Sequence, residues 1–190
     1  MANISRTRRN AGGLDVERTR FQYQDFTHER EIRLLKVHAG KGSSMRCSFD
    51  HFQLDSSARP SYRAISYAWD KDDPTYDVWM PGHAVLKVRR NLWDALHSLR
   101  DARSDCWLWC DALCIDQDSN EERNHQVKLM ADIYSNANVV VVWLVNADET
   151  VDFTAAFDSM RGAAIYYHGP ASQALLQVCT LRYWTRKWVS

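Results

Sequence analysis

Residues 107–144 read WLWCDALCIDQDSNEERNHQVKLMADIYSNANVVVVWL, and the order of elements in this run decides the fold. From Trp107 to Ile115 the chain is apolar except for Asp111. Such a run is too short and too apolar for a surface helix, so a buried central strand is expected. Residues 116–120 form a polar turn. Ser119 and Glu122 make an S-x-x-E capping box that opens a helix. Val127, Met130, Ile133 and Tyr134 continue that helix at core-facing spacing. Residues 135–138 stop it, and VVVVWL at 139–144 predicts a second strand, covered on both faces.

Outward from this block, IRLLKV (32–37) and residues 45–54 are β-prone runs around a Gly-rich turn at 40–44, which predicts an N-terminal β-hairpin. YRAISYAW (62–69) reads as a strand, and residues 78–80 and 85–88 flank Pro81-Gly82-His83 as a second hairpin. Asn91 is the expected N-cap of an amphipathic helix over 92–100. The middle of the chain therefore reads helix, strand, helix, strand. That is the pattern of an α/β fold with a mostly parallel sheet flanked by helices. Further helices are expected at 151–165 and 173–178, and residues 184–188 are basic and aromatic. Residues 1–25, with Arg6, Arg8, Arg9, Arg18 and Arg20, read as a flexible basic arm. Residues 26–190 read as one α/β domain.

Composition narrows the function. Lys plus Arg and Asp plus Glu each number 24, and this balance argues against a dedicated nucleic-acid binder. No apolar run reaches the ~18–20 residues of a membrane span. Five cysteines without a secretory leader predict a reduced, cytoplasmic setting. Cys106, Cys110 and Cys114 would lie on one side of the expected strand as small buried hydrophobes. They match no zinc spacing, so no metal is expected. The chain contains no G-x-G-x-x-G, Walker A or G-x-S-x-G motif.

In open α/β sheets, ligands bind beyond the carboxyl ends of strands. Three such ends are rich in acids and amides: Ser66, Tyr67, Trp69 and Asp70; Asp116, Gln117 and Asp118, with Glu122 one helical turn on; and Asn146, Asp148 and Glu149. For Glu122 a catalytic and a capping role are both open, since acids at helix N-termini are favoured by the dipole. Asp111, inside an apolar run, needs a partner such as Arg123, a backbone N–H group or a ligand. Trp69 suits either the core or a stack against a ligand ring.

The segments IRLLKV (32–37), YRAISYAWD (62–70), NLWDALHSLR (91–100), LWCDALCIDQDSNEERNHQVKLMADIY (108–134), VVVVWL (139–144) and LRYWTRKWV (181–189) resemble, in order, the motifs of the fungal heterokaryon-incompatibility (HET) domain. Two family glycines are replaced, by Asp70 and Val145. The family pattern runs on beyond Ser190, which implies a domain cut short. The resemblance implies a cell-death effector of non-self recognition, active on self-association with a sensor or partner protein. It also implies a remote TIR-like, flavodoxin-like fold. Some TIR domains cleave NAD at the nicotinamide–ribose bond, so NAD would be a substrate and no cofactor is expected. Glu122 matches the family's recurrent glutamate and is the catalytic candidate. Ser66, Trp69, Asp111, Asp116 and Arg123 are the substrate-binding candidates. A non-catalytic oligomerisation module is the alternative.

Overall fold

The computed structural model describes residues 19–69 and 72–143. The expected elements at 151–165 and 173–178, the 184–188 end and the third strand end lie outside the described residues. The chain divides into two compact units, Met1–Val141 and Val142–Ser190, and the described residues up to Val141 belong to the first.

The protein has an α/β fold built on a mixed sheet. Its strands are β1 (Thr19–Arg20), β2 (Glu31–Val37), β3 (Met45–Gln53), β4 (Arg63–Tyr67), β5 (Tyr76–Trp79), β6 (Ala84–Val88), β7 (Cys106–Trp109) and β8 (Val139–Trp143), in the spatial order β1-β6-β5-β3-β2-β7-β4-β8. The expected N-terminal hairpin is β2–β3, antiparallel in the register Leu35↔Phe49. The expected hairpin around Pro81-Gly82-His83 is β5–β6, and Gly82 takes φ +69°, a conformation for which glycine is the natural choice. β4 runs parallel to β7, whereas β2 runs antiparallel to β7. The sheet therefore mixes parallel and antiparallel pairing.

β2 is the core of the unit. Ile32, Leu34, Leu35 and Val37 are all fully buried, between β3 on one side and β7 on the other. Helix α3 (Asn120–Ser135) is pinned to β4 through Ile133, the hydrogen bond from Tyr62 to the Ile133 carbonyl, and the one from Tyr134 to the Ile65 carbonyl (3.3 Å). Trp109, fully buried, meets Tyr134 edge to face at 5.4 Å.

Four expectations need correction. First, the strand expected over 107–115 ends at Trp109, and Asp111–Cys114 forms a single helical turn, α2, closed by Cys114 N–H to Cys110 O at 2.8 Å. A buried strand and a buried helical turn are equally apolar, so the run alone does not separate them. The i,i+4 spacing of Cys110 and Cys114 belongs to this turn and not to one side of a strand. Second, α1 spans Arg90–Leu99 with Arg89 as its N-cap. Asn91 is buried in the first turn and donates its amide to Ala68 O at 2.6 Å, tethering the end of β4 to the helix. Third, β8 is not covered on both faces: Val139, Val140 and Val142 are 51, 44 and 45% exposed at the end of the sheet. Fourth, residues 19–25 are engaged with the fold. Phe21 and Tyr23 pack against Phe49, and Phe21 N–H reaches Val85 O.

The Ser119 cap is formed: its hydroxyl accepts from Glu122 N–H at 3.2 Å. Ser119→Ala should therefore cost about 1 kcal/mol, read as a lower urea midpoint at unchanged slope. An unchanged midpoint would show the cap to be idle.

Candidate functional site

Three of the residues predicted to form one site line two cavities: Trp69 and Asp116 the larger, Glu122 the smaller. They are organised by a residue that the sequence reading passed over. Arg33, in the middle of β2, is 1% exposed, and Glu122 on the first turn of α3 is 8% exposed. Arg33 Nη1 donates to Glu122 Oε1 at 2.8 Å, and Nη2 donates to Oε2 at 3.3 Å. The other donors go to Cys114 O (3.0 Å), Gln24 O (2.6 Å) and His51 Nε2 (3.1 Å), so all five N–H groups of the guanidinium are used. Tyr23 and Phe26 cover the guanidinium at 4.7 and 4.6 Å. A lone arginine within an apolar strand needs a partner for the same reason as a lone aspartate, and IRLLKV carried that signal.

Glu122 has a second task. Its Oε1 accepts from Asp116 N–H at 2.6 Å. The capping box thus closes differently from the expected form: Ser119 caps Glu122 N–H, while the carboxylate turns inward to hold the Asp116 turn and Arg33. The turn is completed by Asp118 N–H to Asp116 Oδ1 at 3.0 Å and by Gln117, whose amide donates to Asp111 O at 2.7 Å.

His51 extends the network. It accepts from Arg33 on Nε2, and its Nδ1 faces Glu31 Oε1 at 3.4 Å. This requires a neutral ring with the proton on Nδ1, because a second N–H would oppose the Arg33 donor. Burial, then the Arg33 charge, hold the His51 pKa below its ordinary value, outweighing the Glu31 carboxylate. Burial pushes Glu31 upward as its largest single influence. Hydrogen bonds from Thr27 N–H and hydroxyl and from His28 N–H together win, and its pKa is lowered.

The larger cavity, of about 720 Å³, opens at the carboxyl end of β4. Tyr67 and Trp69 line it with the Asp116-Gln117-Asp118 turn, Val88 at the end of β6, Arg89 and Leu92 at the start of α1, and Arg20, Phe21 and Tyr23 from the N-terminal segment. A volume in this range suits a ligand of cofactor size. Trp69 is held by Asp111, its indole N–H donating to Asp111 Oδ1 at 3.4 Å, and Arg89 lies 5.8 Å from the Trp69 ring. The second cavity, about 550 Å³, is lined by residues 25–29, Ser119, Glu121, Glu122 and His125.

The structure thus brings Trp69 and Asp116 to one cavity, with Asp111 behind Trp69. Glu122 lines the other cavity and touches the first through the Asp116 backbone. Arg123 does not meet Asp111: it sits exposed on α3, hydrogen-bonded to Asn120. Ser66 is half-buried in β4 and lines neither cavity. Cys47, Cys106, Cys110 and Cys114 are free thiols. Cys110 is pushed well above its ordinary pKa by the Cys114 hydrogen bond and burial, and Cys47 by burial, which makes both poor nucleophiles. Among the described residues no cluster of His, Cys, Asp or Glu could hold a metal ion, and no helix is long and apolar enough to cross a membrane.

Residues 62–190 match the family described as heterokaryon incompatibility protein (HET). The match contains Glu122 but begins after Arg33. Among curated proteins, heterokaryon incompatibility protein 6, OR allele, of Neurospora crassa is 36% identical over 127 residues, covering 60% of this chain and 18% of that protein. The chain thus spans less than a fifth of the length of this relative. No solved structure matches.

Two outcomes follow from the Arg33 network. Glu122→Ala leaves a buried guanidinium unpaired and should cost about 3–5 kcal/mol, measured by denaturant unfolding. A loss below about 1 kcal/mol, the range of an exposed pair, would refute a buried bridge. The unfolded chain protonates His51 near pH 6.5, while the folded chain resists. Stability should therefore be complete above about pH 6.5 and decline as pH falls below it. His51→Gln should flatten that decline between pH 7 and 5.5. An identical pH profile in the variant would exclude His51 as its source.

Proposed function

The chain belongs to the heterokaryon incompatibility (HET) family, and from that premise we propose that it is the effector domain of a cytoplasmic fungal protein that recognises non-self and triggers cell death. Self-association, with a sensor or partner protein, switches it on. The finer reading is a remote TIR-like NAD glycohydrolase acting in the larger cavity. The observation that supports it is the meeting, beyond the carboxyl end of β4, of the Trp69 ring and the Asp116 carboxylate in a space of about 720 Å³.

In this reading water adds to the ribose C1′, the bond to nicotinamide breaks, and nicotinamide leaves with the bonding electrons. The products are nicotinamide, ADP-ribose and a proton. The transition state is oxocarbenium-like, and an ionised carboxylate beside C1′ stabilises it. Asp116 offers that carboxylate, since it lines the cavity. Glu122, the candidate from the sequence, acts through Asp116 as a positioning residue, holding its N–H at 2.6 Å. Trp69 supplies a wall for the ring, and Asp111 orients Trp69.

The exposed valines of β8 favour a second reading, in which the domain is an assembly module without chemistry.

Concentrated protein incubated with NAD should release nicotinamide, and Asp116→Asn should lower release by about 100-fold or more with its melting temperature unchanged. Full activity in Asp116→Asn would remove the proposed carboxylate. Absence of release in every assembly state would leave the assembly reading in place of the enzyme.

A further inference from the structure

We propose that Arg89 is the anion-binding residue of the larger cavity, and that the ligand it selects is a nucleotide, gripped through its phosphate. This rests on the reading of that cavity as the ligand site and adds the residue that chooses among ligands.

The cavity wall carries three cations, Arg20, Lys87 and Arg89, against the two carboxylates of Asp116 and Asp118. Two of the cations have carboxylate partners: Arg20 pairs with Asp118, and Lys87 with Asp77. Arg89 differs. Its Nε–H donates to the backbone carbonyl of Asp72 at 2.7 Å, and its guanidinium lies 5.8 Å from the Trp69 ring. The Nη groups engage no acceptor among the described residues. Among the other described arginines, Arg30, Arg33 and Arg90 pair with acids, whereas Arg59, Arg63 and Arg100 donate to backbone carbonyls away from this cavity; Arg89 combines a carbonyl anchor with a place on the cavity wall.

A guanidinium at a cavity wall with its outer edge unused favours an anion, and the two-nitrogen edge fits two oxygens of a phosphate. Nε is anchored by Asp72, and Trp69 is fixed by Asp111 through its indole N–H at 3.4 Å. The fork is therefore held at the wall before any ligand arrives, which limits the ordering cost of binding. The same wall carries the aromatic side chains Phe21, Tyr67 and Trp69, which suit a planar ring. A phosphate contact, aromatic faces and a carboxylate in one cavity of about 720 Å³ match a nucleotide better than a lone acid anion, which would leave most of that space unfilled.

The test is calorimetric titration of the full chain with ADP, adenosine and inorganic pyrophosphate, for wild type, Arg89→Gln and Arg89→Lys. Wild type should bind ADP at least about tenfold more tightly than adenosine, the size of a charge-assisted hydrogen bond. Arg89→Gln should bring the two affinities together with adenosine binding intact, and Arg89→Lys should keep part of the preference. An ADP preference that survives in Arg89→Gln overturns the assignment of Arg89 and leaves the cavity as ligand site standing. Pyrophosphate bound as tightly as ADP overturns the nucleotide half. Wild type that binds neither ADP nor adenosine overturns the reading of the cavity itself.

Discussion

The described unit is organised around one buried ion pair, Arg33 with Glu122. Taking both charges out of water costs several kcal/mol each, and the pair survives only where every polar atom is satisfied. Here that condition is met by five separate pieces of chain. β2 supplies the arginine, α3 the glutamate, α2 the Cys114 carbonyl, β3 the His51 ring and the N-terminal segment the Gln24 carbonyl. Each piece must be in place for the others to be tolerable. Alternative packings that separate the two would strand a buried charge, so the pair disfavours them.

Parts of this were legible in the sequence for identifiable reasons. Hairpins are marked by turn residues at fixed offsets, and both β2–β3 and β5–β6 were readable from 40–44 and Pro81-Gly82-His83. The start of α3 was readable because Ser119 has a local task. What failed were inferences about long-range surroundings. Asp111 sits in an apolar run that could be strand or helical turn, and only its tertiary position selects the turn. Val139–Trp143 has the β-branched composition of a covered strand, yet composition reports strand propensity and not how much of each face is covered. Arg33 is the opposite case: it is a lone charge in an apolar strand, and the rule that demands a partner for Asp111 demands one for it as well.

The candidate site was half legible. Trp69 and Asp116 were expected at strand ends and do line one cavity. Arg123 was expected to meet Asp111 or a substrate, but consecutive residues on a helix point about 100° apart, so an inward Glu122 favours an outward Arg123. Arg89 left no local signal. It becomes distinctive only when the ion pairs of the other cations on the wall are known.

The division of labour between Glu122 and Asp116 follows from the same geometry. A carboxylate has about four lone-pair sites, and on Glu122 three donors already occupy Oε1 and Oε2: two N–H groups of Arg33 and the Asp116 amide. A group so engaged, and 8% exposed, is poorly free to meet a ligand without dismantling the core. It is well suited to hold something else still. The turn that it holds carries Asp116 to the cavity, so the buried charge of Glu122 and the candidate carboxylate at the cavity wall are linked through a single hydrogen bond. Stability and site geometry are then one property. A substitution that loosens Arg33 lets the Asp116 turn move, and loss of function from such a change would reflect displacement of Asp116 and not removal of a reacting group. Only a change confined to the Asp116 side chain separates the two.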